Sequence, residues 1–510
     1  MMESDGCQDV NDHGKVYNWL IRMDSKVESK IPKNVNWNIV LIILFLVLLS
    51  INFARLFYNN FWWDECYSIS TAHLSISEII DATITIDSNP PGFYIILKGF
   101  CSILGYQPFV YCFTSYFPYM VIMILSLTVV KKRFGMAPAA MVMLFASMLE
   151  QSQYYITEVR SYEWAVLFIF IMFILIYEII REPKIWHYVV MTVSFICAGY
   201  THYYALMCGG LLILALIIRS TYIRDKKGFA LSSASLIISI IAYAPWIPHF
   251  FVQVSDATSD FWISYTPTVF DCIFMFFGFN PVFLVFIFFL IVTAIFLLRR
   301  FKIIEKGDDF LSLFHKDKER WWFILIGLFS IFGVILFMTV VSLIKHPVLL
   351  LRYVYTFAII AWIIMGVFVS GMKPKKLFTV TVLALTVVLS TPWCCGWMYL
   401  EYQHNAEIND TVASTSPLMQ EGDDIITDIW GFTQLESEYY YPGIPSIYIK
   451  SLDELDEPVN DHHWLYIMHE LDQSDTELLK SKGYDAEMIR KGMVPNDIKV
   501  WIYRLHPIGP

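Results

Sequence analysis

Charge is what this 510-residue chain has least of. Asp, Glu, Lys and Arg make up 16% of it and hydrophobic residues 57%. That balance excludes a water-soluble globular protein, whose core could not bury so much apolar surface. The nine cysteines show no metal-ligand spacing, which excludes a zinc ribbon or finger, and no disulfide framework is implied. Most fall in or beside apolar runs, where a thiol behaves as a small apolar side chain. There is no Gly-rich phosphate loop, internal repeat or low-complexity tract, and at a net charge of −10 no nucleic-acid partner is expected. Residues 1–36 carry acids at Glu3, Asp5, Asp9, Asp12, Asp24 and Glu28 and lack the basic-then-apolar pattern of a cleavable signal peptide.

What is present is a series of apolar runs of the length that crosses a hydrocarbon core. Eleven spans are predicted: 37–57, 110–130, 136–151, 162–180, 185–201, 203–218, 228–247, 270–298, 321–343, 353–372 and 376–393. The first reads as an uncleaved anchor. With the N-terminus inside, the cytoplasmic segments hold 24 of the 36 Lys and Arg, whereas the opposite loops hold only Arg55, Lys98, Arg160, Lys345 and Arg352. The positive-inside rule selects that orientation. PPGFYIILKGFCSILG, 90–105, is apolar but short, opens with two prolines and carries Lys98 mid-run. A span there would force every later basic cluster outside, so 58–109 reads as an external loop with helices at the membrane surface.

The organisation expected is a cytoplasmic N-terminal segment, 1–36, a transmembrane domain, 37–395, and an extracytoplasmic domain, 396–510, in a multi-pass protein of the cell membrane. The last part carries 21 Asp and Glu against 7 Lys and Arg. Its β-rich runs DIITDIW, SIYIK, HWLYIMHE and IKVWIYRL alternate with the helical pattern SDTELLKSKG, which indicates a small α/β domain.

Six polar groups fall on the outer side: Asp64-Glu65, Asp87 to Pro91 with Asn89 between, Glu158 and Arg160, His202 with Tyr203, Trp246, and Arg352-Tyr353. Singly, each has an ordinary explanation as a helix-end acid, a turn, a local ion pair or an interfacial aromatic. Together they point to one external site, because ionisable groups near hydrocarbon are costly and usually pair or line a wet cavity. A carboxylate beside arginines suits a reaction on a phosphate-containing lipid: the guanidinium grips phosphate oxygens and the carboxylate takes a proton from an attacking hydroxyl. With no nucleotide outside, a sugar donor would have to be carried on a lipid.

The same residues resemble a family. WWDE, SNPPGFYIILK, YYITEVRSYEW, GYTHYYAL, YAPWIPHFFVQV with FWI downstream, and LLRYVYTF resemble the ordered motifs of the GT-C membrane glycosyltransferases of family 39, the protein-mannosyltransferase and aminoarabinose-transferase type, over residues 40–360. The resemblance implies that Asp64 is the catalytic base, that Glu65 shapes the site, and that Arg160 and Arg352 hold the lipid phosphate. Asp87, Asn89, Glu158, His202, Tyr203, Trp246 and Tyr353 are the accompanying substrate-binding candidates. Asn89 stands where the family often has His, and Val159 where it has Ala, which bears on acceptor contacts more than on the fold.

The expected protein is a polytopic α-helical membrane glycosyltransferase, inverting, with a polyprenyl-phosphate sugar donor and an external glycan, lipid or protein acceptor. No cofactor is required, since the donor already carries its leaving group; a divalent ion at Asp64, Glu65 and Glu158 stays open. Two other readings are a transporter or lipid flippase, which would need ionisable groups at mid-span, and a ligand sensor, which would leave Asp64 without a role.

Overall fold

The computed structural model describes residues 19, 21–32, 34–58, 60–85, 87–259, 265–278, 317–371, 375–456 and 462–508. Most of the predicted 270–298 span, the FWI motif at 261–263 and residues 1–18 lie outside them. After a helical stretch at 21–30 comes α1 (Trp37–Ala54), followed by three short helices, α2 (Trp63–His73), α3 (Ile76–Thr85) and α4 (Gly92–Leu104). Then come α5 (Pro108–Leu125), α6 (Met136–Met148), α7 (Glu150–Tyr155), α8 (Tyr162–Arg181), α9 (Ile185–Thr201), α10 (Tyr203–Tyr222), α11 (Lys226–Tyr243) and α12 (Ile247–Ser259). The helical body ends with α13 (Val269–Phe277), α14 (Lys318–Ile344), α15 (Ala358–Gly371) and α16 (Lys375–Thr415).

Among the described residues, eight helical stretches are long and apolar enough to cross a membrane, and they coincide with eight of the eleven predicted spans. The stretches 162–181 and 351–370 are each 83% buried and form the centre of the bundle, whereas 37–57, 226–259 and 379–418 bury 28% or less and leave apolar side chains facing outward, as lipid contact requires. α4 has 13 residues, about 20 Å at 1.5 Å per residue, too short for a core of about 30 Å. It packs instead against α2, α5 and α9. The close approach to α9 explains the glycine of the PPG turn: a Cβ on Gly92 would sit 2.3 Å from the Tyr200 carbonyl oxygen.

The predicted 136–151 span is a correction. α6 stops at Met148, turns at Leu149, and restarts as α7. Side chains patch the break: Ser152 Oγ donates to Phe145 O at 2.9 Å, and Gln153 donates to Ser147 O and, at 3.0 Å, to Asn52. Buried carbonyls freed by ending a helix need such partners, so the polar residues of MLEQSQ end the helix inside the protein.

α16 runs without interruption past residue 395 and enters the C-terminal domain as part of it. That domain is a five-stranded sheet in the order β2-β1-β3-β5-β4, from β1 (Asp424–Thr427), β2 (Ser446–Tyr448), β3 (His463–Ile467), β4 (Tyr484–Val494) and β5 (Ile498–Pro507). β2, β1 and β3 are parallel, and β5 and β4 form an antiparallel hairpin at the edge. Two small helices, α17 (Leu435–Tyr440) and α18 (Gln473–Ser481), complete it. α16 covers one face, with Thr411 Oγ1 accepting from Met493 N at 3.1 Å, a closeness that Gly492 allows because a Cβ there would lie 2.4 Å from that oxygen.

Candidate active site

α2 begins with the acid pair. Asp64 and Glu65 occupy its first turn, where carboxylates favour the positive end of the helix dipole. Their side chains then diverge. Glu65 is buried, takes the Trp62 N–H at 3.3 Å and the Val159 N–H at 2.8 Å, and so ties α2 to the loop before α8. Asp64 keeps some exposure and meets two guanidiniums: its Oδ2 lies 3.3 Å from Arg352 and 3.7 Å from Arg160. Arg160 also donates to Asp64 O at 3.2 Å, Ser68 Oγ at 3.3 Å and Tyr94 Oη at 3.4 Å. A three-residue turn, Arg160 N–H to Glu158 O at 2.7 Å, delivers both side chains to the site.

Electrostatics separates the three acids. Burial above all pushes the Glu65 carboxyl up to about 8. Burial, then the adjacent Glu65, pushes Glu158 well above the usual carboxylate range. Burial thus favours the neutral form of both acids, while the two guanidiniums close on Asp64. Two neighbouring guanidiniums suit an anion such as a phosphate. Glu158 Oε2 is buried and has no hydrogen-bond partner.

Asp87 joins through Tyr94, whose hydroxyl donates to Asp87 Oδ2 while accepting from Arg160. Asn89 does not turn inward on the acids; its amide donates to Asp87 Oδ1 at 3.1 Å. Tyr203 and Trp246 stand farther off, in a relay: Trp246 Nε1 donates to Tyr203 Oη at 3.0 Å, Tyr203 donates to Gln253 Oε1, and Gln253 Nε2 donates to Thr83 O at 2.6 Å and Asp87 O at 2.8 Å. Trp246 thus supports the Asp87 loop from behind. Sequence reasoning did not single out Tyr94 or Gln253, although both fall inside motifs it quoted.

His202 caps α10, its Nδ1 accepting from Tyr204 N at 3.1 Å, which leaves the proton on Nε2. Burial first, then the positive charges of Arg160 and Arg352, hold its imidazole down to about 3, so it stays neutral. His202, Tyr203, Tyr353 and Asn89 line an apolar groove of about 290 Å³ between α10, α12 and α14, walled also by Phe250 and Phe337. The Arg352 guanidinium lies 5.5 Å from the centre of the Tyr353 ring, so the groove adjoins the charged centre. Among the described residues, no three His, Cys, Asp or Glu converge as metal ligands. Asp64 Oδ2 is turned to the two guanidiniums and the Glu65 oxygens to backbone N–H groups.

The C-terminal domain reaches this site. The Phe61 N–H donates to Tyr440 Oη at 2.9 Å, the Trp430 ring stacks on Trp63 at 6.0 Å, and buried Glu436 hydrogen-bonds the Trp63 backbone. Burial pushes the Glu436 carboxyl up to about 8. α17 therefore clamps the start of the helix that carries Asp64.

A bundle of membrane helices with an acid-bearing helix at one end and an α/β sheet docked over it is the architecture of a polytopic membrane protein. The chain is similar to ArnT from Cupriavidus metallidurans: the apo structure superposes with a TM-score of 0.57 at 11% identity, over 92% of this chain and 99% of that one. The structure of ArnT from the same organism bound to undecaprenyl phosphate gives a TM-score of 0.54 at 11% identity, over 91% and 97%. At such identity the likeness establishes the fold. No protein-family model and no curated protein matches the sequence.

Proposed function

We propose that this protein is a membrane glycosyltransferase that moves a sugar from a polyprenyl-phosphate-linked donor to an acceptor hydroxyl on the side of the membrane occupied by the sheet domain. The observation that carries the reading is the convergence of Asp64 with Arg160 and Arg352 next to an apolar groove. The groove suits a polyprenyl chain and the guanidiniums its phosphate. The ArnT structure holding undecaprenyl phosphate shares the fold and supports the same kind of donor here.

In the proposed reaction the acceptor hydroxyl gives its proton to Asp64, and its oxygen attacks the anomeric carbon from the side opposite the phosphate. The anomeric carbon–oxygen bond to phosphate breaks and the electron pair leaves with the lipid phosphate, so the configuration inverts. Arg160 and Arg352 stabilise the charge that grows on the departing phosphate. Burial of Glu65 and Glu158 disfavours their charged forms and so limits the negative charge beside Asp64. No metal enters this scheme.

The test uses protein reconstituted in vesicles with synthetic polyprenyl-phosphate sugars and an envelope extract as acceptor source. Acceptor-dependent release of free polyprenyl phosphate supports the reading. Lipid or solute flux with every donor left intact would replace it with transport. Glycan mass spectrometry of cells lacking the protein then identifies the acceptor.

A further inference from the structure

Among the described residues of α12, Gln253 alone is buried, and it is polar. It is 6% exposed, whereas its neighbours Phe251 and Val252 are 64% and 55% exposed. Apolar side chains beside a membrane can stay in contact with lipid, but a buried amide is kept only where its hydrogen bonds are met. Three such bonds hold Gln253, and the indole at the far end of the relay sets their direction. Trp246 Nε1 can only donate, so Tyr203 Oη accepts from it at 3.0 Å and gives its own proton to Gln253 Oε1. That turns Nε2 toward the helical body, where it donates to Thr83 O at 2.6 Å and to Asp87 O at 2.8 Å. Thr83 lies in the last turn of α3, whose carbonyls lack intrahelical partners.

The residue held in this way carries the next link. Asp87 Oδ2 accepts from Tyr94 Oη, and Tyr94 Oη in turn accepts from Arg160 at 3.4 Å. The other neutral acceptors of Arg160, Asp64 O and Ser68 Oγ, both belong to α2, so Tyr94 supplies the contact from α4. At the opposite end of the chain, Gln253 and Tyr203 line the apolar groove. One amide therefore stands between the groove wall and a guanidinium of the charged centre. A residue that merely fastened α12 to the body could be apolar; a buried polar network with its members satisfied fixes one geometry.

We propose that Gln253 is a positioning residue of the donor site: through the Asp87 loop and Tyr94 it sets the Arg160 guanidinium against the phosphate of a lipid lying in the groove. The proposal rests on the reading that Arg160 and Arg352 hold the donor phosphate. It adds that the groove wall and the phosphate grip form one connected structure, so that an uncharged amide governs a contact it does not itself make.

The experiment measures binding of a short-chain polyprenyl phosphate, and of the polyprenol of equal length, to the full chain in lipid nanodiscs. The unmodified protein should prefer the phosphate. Gln253→Met keeps the length of the side chain and removes the amide. It should lower that preference about tenfold, on the order of one to two ordinary hydrogen bonds, while polyprenol binding stays unchanged. Tyr94→Phe should lower the preference as well, and the double variant should lose no more than the more damaging single variant, because both substitutions cut the same chain. Parallel loss of both lipids in Gln253→Met would make the glutamine a structural residue and overturn the proposal. Losses that add in the double variant would overturn it too. Binding needs no turnover, so the donor reading is scored separately. An unmodified protein that binds both lipids alike defeats that reading and the proposal together; a phosphate preference that Gln253→Met leaves intact defeats the proposal alone.

Discussion

At the scale of single residues the account turns on how one carboxylate shares two guanidiniums. Arg352→Lys keeps the charge but loses the planar fork, so transfer should fall about tenfold to a hundredfold, the cost of a charge-assisted contact. An arginine that merely anchors a helix end would tolerate lysine, and unchanged donor affinity in that variant removes it from the phosphate site. Glu65 makes a separate prediction. Its folded value near 8, against an ordinary 4.5, means the native state keeps a proton that the unfolded chain releases between those two pH values. Stability is then greatest below 4.5 and declines as pH rises to 8. Glu65→Gln should flatten part of that slope in thermal unfolding from about pH 5 to pH 8; Glu158 and Glu436, raised in the same direction, supply the rest. A slope unaltered by the substitution would mean that Glu65 is ionised in the fold. Asp64, Arg160 and Arg352 were legible in the sequence because charge at the edge of an apolar run is rare and costly. Tyr94 and Gln253 were not, because one tyrosine among 30 and one uncharged amide carry no such signal until folding brings Asp87 and Arg160 together.

At the scale of elements, long apolar periodicity was read well and interruptions were read poorly. The break after α6 depends on Ser152 and Gln153 serving backbone carbonyls, a long-range arrangement that the apolar run of 136–148 conceals. β4 was missed because YDAEMIRKGMV is an edge strand whose charged and apolar residues do not alternate strictly; its register comes from pairing with β5 and from α16 lying across it. The sheet order likewise follows from pairings distant in sequence. α4 offers a clean test of packing. Gly92→Ala would place a methyl 2.3 Å from a backbone oxygen, whereas Gly99, in the same helix, has nothing within 4 Å of the corresponding position. Gly92→Ala should cost about 1–3 kcal/mol in thermal unfolding, the usual range for overpacking, and Gly99→Ala should not destabilise. Equal effects would show that helix propensity and not the α4–α9 approach governs this position.

At the scale of the whole molecule, the site, the groove and the sheet domain gather at one end of the bundle, and the excess of Lys and Arg in the opposite loops makes the outer side the expected location of that end. Cysteines introduced singly at Ser88 and Ser259 should react with an impermeant thiol reagent on intact cells, while one at Lys227 should react only after permeabilisation; the reverse pattern would put the acids in the cytoplasm and remove the argument for a lipid-borne donor. Between α16, which runs from the membrane into the sheet, and α17, which grips the start of α2, the acidic domain is tied to the helix that carries Asp64 and forms part of its surroundings. The central claim is that Asp64 is the base in transfer from a polyprenyl-phosphate sugar. The measurement that tests it most directly is Asp64→Asn in reconstituted vesicles, with donor binding and turnover followed on the same preparation. Loss of general-base assistance should lower turnover by about 10²–10⁴-fold while the donor still binds; near-normal turnover by the Asn variant would contradict the account.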